Sequence, residues 1–178
     1  MEAGFFIENT VADIEAMPED VRAQLIDGQI YYMAPPSTVH QRIISKLVFE
    51  IRGRLEEMGR DCEVLPAPFG VYIADDDRNL VEPDISVICD RDKIDDKGCH
   101  GAPEWVIEIV SPSSKKLDYS IKLFKYRTAG VKEYWIIDPE IRQVQIRDFE
   151  NEDYACTSFD EPAACMHMPE IKIDLSGF

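Results

Sequence analysis

Two carboxylates stand where apolar residues would be expected. Asp84 falls within Val81-Glu82-Pro83-Asp84-Ile85-Ser86-Val87-Ile88, and Glu108 within Trp105-Val106-Ile107-Glu108-Ile109-Val110-Ser111. Both runs are rich in β-branched residues and bounded by turn formers, so both are predicted as strands. A lone carboxylate inside a buried strand is costly unless a cation or hydrogen-bond donors compensate it. Two such strands in succession would present both acids to one shared ion. Mg²⁺ suits that pair, because it favours oxygen ligands and keeps several waters. The plainer alternative is two edge residues facing water, since tertiary context often overrides strand patterns. A metal held there lowers the pKa of a bound water and offsets charge on a phosphodiester. A lysine beside it orients the water or stabilises developing negative charge. Lys122, on a predicted helix just after the second strand, is a lysine in position to do so. The chain has no GxSxG elbow and no Gly-rich phosphate loop, so serine hydrolysis and nucleotide hydrolysis have no support.

The elements that must position these residues are legible in order. Thr10 is a candidate cap for a short helix through Met17, ended by Pro18. Asp27-Gly28 between two apolar runs predicts a hairpin over 24–33, because both turn residues tolerate positive φ. Pro35-Pro36 then breaks the chain, and Ser37 or Thr38 caps a long helix. Its stripe runs Val39, Ile43, Ile44, Leu47, Val48, Ile51, Leu55 and Met58, and Gly59 stops it. His40 lies on the margin of that stripe; read alone, it is a hydrogen-bonded boundary residue rather than a site residue. Residues 62–74 read as one or two strands interrupted at Pro66-Ala67-Pro68, which argues for a sheet edge or a bulge. Asp75-Asp76-Asp77 is predicted as a solvated turn, since it lacks the spacing of a calcium loop. A charged loop, 90–102, joins the two acid-bearing strands. A helix is expected from Lys116 to Thr128, with Leu117, Ile121, Phe124 and Tyr126 as its apolar side and Gly130 as its cap. Strands are predicted at 133–138, 143–147, 154–159 and 171–175.

The length, 178 residues, suits one domain spanning 1–178 with a full hydrophobic core. No apolar run approaches a membrane span. The start of the chain lacks the basic and apolar regions of a signal peptide. The 5 cysteines form no CxxC pair, which makes structural zinc improbable and fits a reducing cytoplasm. The net charge of −16 counts against nonspecific coating of nucleic acid, which draws on Lys and Arg. Any attraction for DNA must therefore be local. Lys115, Lys116, Lys122 and Lys125, with Arg42 and Lys46, are expected to border one cleft around the acids, with the acids of the 75–77 turn and the 90–96 loop elsewhere or at its rim. DNA binding through such a patch would fall steeply with salt.

Pro83-Asp84 followed by Glu108-Ile109-Val110 resembles the PD-(D/E)xK nuclease superfamily. The run from Glu108 through Ser111-Pro112-Ser113-Ser114, Asp118, Lys122 and Tyr126 to Ala129-Gly130-Val131-Lys132-Glu133-Tyr134-Trp135-Ile136-Ile137-Asp138-Pro139 is more specific. It resembles the Uma-two branch of restriction-endonuclease-like proteins, as do Leu25-Ile26-Asp27-Gly28, Met33-Ala34-Pro35 with His40, and Pro66-Ala67-Pro68-Phe69. The resemblance covers residues 20–175. It implies an α/β fold with a restriction-endonuclease-like core, a central mixed β-sheet flanked by helices, preceded here by the N-terminal hairpin. It also implies that Asp84 and Glu108 bind Mg²⁺ or Mn²⁺, that Lys122 and His40 join them in catalysis, and that DNA is the substrate. One position departs from the superfamily pattern: Val110 stands where the core motif has lysine. Lys122 on the next helix is the matching residue, and the reach of a lysine permits the migration.

Three readings of function compete. The first is a metal-dependent endonuclease hydrolysing DNA phosphodiesters. The second is a non-catalytic binding module that keeps the nuclease fold. The third is a hydrolase of another phosphoester. Retention of Asp84, Glu108 and Lys122 together favours the first; the acidity of the chain favours the second. A homodimer would double the footprint on DNA and permit cleavage of both strands.

Overall fold

The computed structural model describes residues 8–178. Its first element, α1 (Val11–Glu15), starts at Thr10, whose N–H donates to Asp13 Oδ2 at 2.7 Å. The predicted hairpin follows as β1 (Ala23–Ile26) and β2 (Gln29–Tyr32). Asp27 and Gly28 have φ of 50° and 76°, the paired positive values that a tight hairpin turn demands. Ser37 accepts the N–H of His40 and caps α2 (Thr38–Glu57). The stripe residues Ile43, Leu47, Ile51 and Leu55 are buried, as their spacing requires.

The remaining strands are β3 (Glu63–Pro66), β4 (Val71–Tyr72), β5 (Ile85–Ile88), β6 (Cys99–His100), β7 (Trp105–Ile109), β8 (Glu133–Asp138), β9 (Gln143–Asp148), β10 (Asp153–Ser158), β11 (Ala163–Ala164) and β12 (Lys172–Ile173). Six of them form the central sheet in the order β10-β9-β8-β7-β5-β3. Only β7 and β8 are parallel; the helix between them supplies the crossover that parallel neighbours need. The proline-bearing β3 lies at the sheet edge, where a missing N–H costs no ladder bond. The 90–102 segment is no bare loop. It contains a 3₁₀ turn and β6, which pairs with β4, and Lys93 Nζ ties it to Ala102 O at 3.0 Å.

Alternation along β7 divides the core. Trp105, Ile107 and Ile109 pack against α2 and the C-terminal segment, while Val106 and Val110 face the other way, toward Tyr126 and Tyr134. Glu108 shares the parity of this second face. Among the described residues no helix is long and apolar enough to cross a membrane.

Three expectations need correction. Asp84 does not sit within a strand; it immediately precedes β5. The helix expected from Lys116 is wound as a π-helix over Leu117–Lys122 before continuing as α3 (Leu123–Ala129), capped by Gly130 at φ 94°. Its buried residues are Asp118, Lys122 and Tyr126, and Phe124 is 66% exposed rather than in the core. The i, i+4, i+8 row is what the helix turns inward, because Glu108 lies beneath it and demands polar partners. Lastly, Cys62 and Cys89 are joined in a disulfide rather than free. They stand one step beyond the Glu63–Ile88 pair of the antiparallel β3–β5 ladder, so register places them opposite each other.

Candidate active site

Register brings the two acids together. β5 and β7 are antiparallel with Ile85 opposite Ile107, which sets Asp84 opposite Glu108 one step further on. Directly opposed residues project from the same face of a sheet. Both acids line one open cleft of about 900 Å³, together with His40 and Lys122. The sequence had no direct means of showing that α2 would deliver His40 to this point. Its Nε2 donates to Asp84 Oδ2 at 3.0 Å, and the N–H of Ile109 donates to the same oxygen at 2.7 Å. Asp84 is thereby fixed from the long helix and from the strand that carries Glu108.

Glu108 is held from the other side. Lys122 Nζ donates to Glu108 Oε1 at 2.8 Å and Tyr126 Oη to the same atom at 2.6 Å. Asp118 Oδ1 lies 3.6 Å from Lys122 Nζ, too far for a hydrogen bond, and has no other polar partner. Burial pushes the Glu108 carboxyl up to about 8; Lys122 pulls against this, while Asp84 and Asp118 add to the push. Burial likewise raises Asp118, again opposed by Lys122. Burial alone would lower the Lys122 ammonium, but Glu108 and Asp118 outweigh it and keep the group above its ordinary value. Lys122 is therefore a cation at neutral pH, and its charge limits how far burial raises the Glu108 carboxyl.

The hydrogen bonds leave one oxygen of each acid unused. Asp84 accepts through Oδ2 and Glu108 through Oε1, so Asp84 Oδ1 and Glu108 Oε2 have no protein donor among the described residues. A pair of free carboxylate oxygens in an open cleft is a donor set that fits Mg²⁺ or Mn²⁺, which need one or two protein carboxylates and fill the rest with water and substrate oxygens. It is no closed metal cage: among the described residues no group of three or more His, Cys, Asp or Glu is arranged to hold a metal.

A protein-family model named Uma2 and described as "Putative restriction endonuclease" matches residues 11–176. The chain belongs to this family. Among solved structures it resembles one described as "a putative nuclease belonging to DUF820 from Anabaena variabilis", with a TM-score of 0.76 and 21% identity over 94% of this chain and 95% of that one. That likeness shows the fold, a restriction-endonuclease-like α/β architecture around a mixed sheet. No curated protein matches the sequence.

The Uma2 cleft is not ringed by lysines as the sequence led one to expect. Of Lys115, Lys116, Lys122, Lys125, Arg42 and Lys46, only Lys116 and Lys122 line it. Lys115 is drawn to Asp138 at 3.3 Å and Glu140 at 3.4 Å, Lys125 to Asp27 at 2.5 Å, and Lys46 to Glu50 at 2.5 Å. In so acidic a chain most lysines find a carboxylate nearby. The lining is instead largely apolar or neutral, and includes Tyr31, Tyr32, Met33, Pro35, Ser111 and Pro112. The acids of the 75–77 turn and the 90–96 loop do lie outside the cleft. Sequence reasoning missed Tyr126 and Asp118 as members of the Glu108 cluster. The signal was available in their spacing of four from Lys122, which puts all three on one helical face.

Proposed function

We propose that this protein is a metal-dependent endonuclease that hydrolyses DNA phosphodiester bonds. The observation that carries the reading is the pairing of Asp84 and Glu108 across adjacent strands with Lys122 bonded to Glu108 in the same cleft. Asp84 Oδ1 and Glu108 Oε2 would hold Mg²⁺ or Mn²⁺. When bound, the ion supplies a water of lowered pKa and offsets charge on the phosphate. His40 and the Ile109 N–H orient Asp84, and Tyr126 orients Glu108. Lys122 has three N–H donors and spends one on Glu108, so donors remain for a phosphate oxygen or for the attacking water. Hydrolysis would form a bond from the water oxygen to phosphorus and break the phosphorus–oxygen bond to the leaving sugar, the water's proton passing to solvent and the leaving oxygen taking up a proton from solvent. The family description and the retained acid–acid–lysine set support this reading over a pure binding module.

Plasmid nicking tests it. Wild-type protein is expected to relax supercoiled DNA with Mg²⁺ or Mn²⁺ and to stop with EDTA, and Asp84→Ala is expected to be inactive. Nicking that persists in Asp84→Ala, or no cleavage of any DNA form with either metal, would count against an endonuclease centred here.

A further inference from the structure

Phe49 stands on the outer face of α2 and is 80% exposed, while Ile43, Leu47, Ile51 and Leu55 of the same helix fill the core. A single exposed apolar side chain would need no explanation; the surroundings of Phe49 do. Ser45 lies one turn before it and Gly53 one turn after, so it is flanked on its own face by two small residues. A glycine inside a helix lowers the stability of the helix. Nothing in the chain's own packing calls for Gly53, since a Cβ there would meet no atom within 4 Å. Opposite charges close the two ends of the face, Arg42 seven residues before Phe49 and Glu56 seven residues after it. Arg42 is exposed and has no carboxylate partner among the described residues. Arg52 approaches Glu56 only at Oε1, at 3.5 Å, which leaves Oε2 of Glu56 free.

We propose that this outer face of α2 docks a second copy of the chain, antiparallel, about a two-fold axis through Phe49. Such an axis sets each residue opposite the one equally far along on the other side. Phe49 then covers Phe49, Ser45 meets Gly53, and Arg42 meets Glu56, the last two contacts being made twice. The small residues let the two backbones approach beside the aromatic pair, and the charges at both ends are opposite in sign. Lys46 falls opposite Arg52, but each is already held by a carboxylate of its own chain, Glu50 and Glu56. A face that complements itself in shape and in charge fits a second copy better than any unrelated partner. The inference does not depend on the metal-dependent reading, but it bears on the cleft. α2 also carries His40, nine residues before Phe49, so the axis sets the two His40 residues about 27 Å apart, toward opposite ends of the helix pair.

Sedimentation velocity of the full-length protein over a range of concentrations tests it. One helix pair is a small interface, so a reversible dimer with a Kd of about 10 µM is expected of the wild type. Phe49→Asp is expected to be monomeric throughout. Arg42→Glu and Glu56→Arg each set like charges against each other and are expected to weaken the dimer at least about tenfold. The double variant Arg42→Glu/Glu56→Arg restores opposite signs and is expected to dimerise again. All of these positions are exposed, so at a concentration where the wild type is monomeric every variant is expected to melt with it. A wild type that stays monomeric up to about 200 µM, well above that Kd, would overturn the proposal. So would a dimer that survives Phe49→Asp, or one that both single charge reversals abolish and the double variant does not regain.

Discussion

At the scale of single residues the site is a contest over Glu108. Burial raises its carboxyl to about 8 from an ordinary 4.5, so the metal-free fold holds a proton there that an unfolded chain would release. The contribution of Glu108 to stability without metal therefore declines as pH rises from the ordinary value toward about 8. A cation held there, as proposed, would have to displace that proton, so its binding would strengthen over the same window. The rise in melting temperature produced by Mg²⁺ is expected to be larger at about pH 8.5 than at about pH 6. Thermal melts with and without Mg²⁺ at both values check it; an equal rise at each would mean that Glu108 does not titrate with the metal. Asp84 is arranged differently. Its two donors, His40 and the Ile109 N–H, both meet Oδ2 and leave the other oxygen free for work.

At the scale of elements, the helix after β7 sets the chemistry. Its π-wound first part and the α3 part together turn Asp118, Lys122 and Tyr126 inward and leave Phe124 outside. A π segment inside a helix often marks a functional position, because the widened turn re-aims side chains at some cost in backbone bonding. Phe124→Ser is accordingly expected to change stability by no more than about 0.5 kcal/mol, as exposed substitutions do. A core phenylalanine would cost several times more, about 3–5 kcal/mol on truncation. Urea denaturation separates the two, and a large loss would return Phe124 to the core. A second element is anchored by a different acid. Glu133 on β8 accepts from Trp135 Nε1 at 2.6 Å and from the N–H groups of Met166 and His167 at 3.0–3.1 Å. These bonds hold the segment before β12 against the sheet, on the face away from the cleft.

At the scale of the whole molecule, charge and cysteine pairing decide how the protein meets its surroundings. Because neighbouring acids hold most of its lysines, the cleft would offer DNA few cations, chiefly Lys116 and Lys122, since Arg22 at its edge is paired with Glu82. The steep salt dependence expected of a lysine-ringed cleft gives way to a shallow one. The slope of log K against log salt is expected to be about −2, near −0.9 for each phosphate neutralised. Titration of duplex DNA binding with Ca²⁺ in place of Mg²⁺ measures it, and a slope of −5 or steeper would show a larger basic surface at work. The Cys62–Cys89 disulfide closes a loop of 27 residues and is expected to contribute about 3–4 kcal/mol. Thiol titration of the unfolded, unreduced protein is expected to find the 3 free cysteines, Cys99, Cys156 and Cys165. Finding all 5 cysteines reactive would mean that the bond does not form. The residues that were legible from sequence are those whose meaning is local. The Asp27-Gly28 turn, the α2 stripe with its Ser37 cap, the alternation of β9 and the anomaly of single acids among apolar residues all follow from spacing and backbone preference. What the spacing left open needed neighbours distant in the chain. Register across β5 and β7 set Asp84 beside Glu108, the fold of α2 brought His40 to Asp84, and the β3–β5 ladder joined two cysteines that spacing alone had left unpaired. Ion pairs with Asp138, Glu140, Asp27 and Glu50 took the lysines away from the cleft. Periodicity says which face of an element is buried, but a carboxylate's partner is chosen by distance in space, and in this chain only tertiary packing sets that distance.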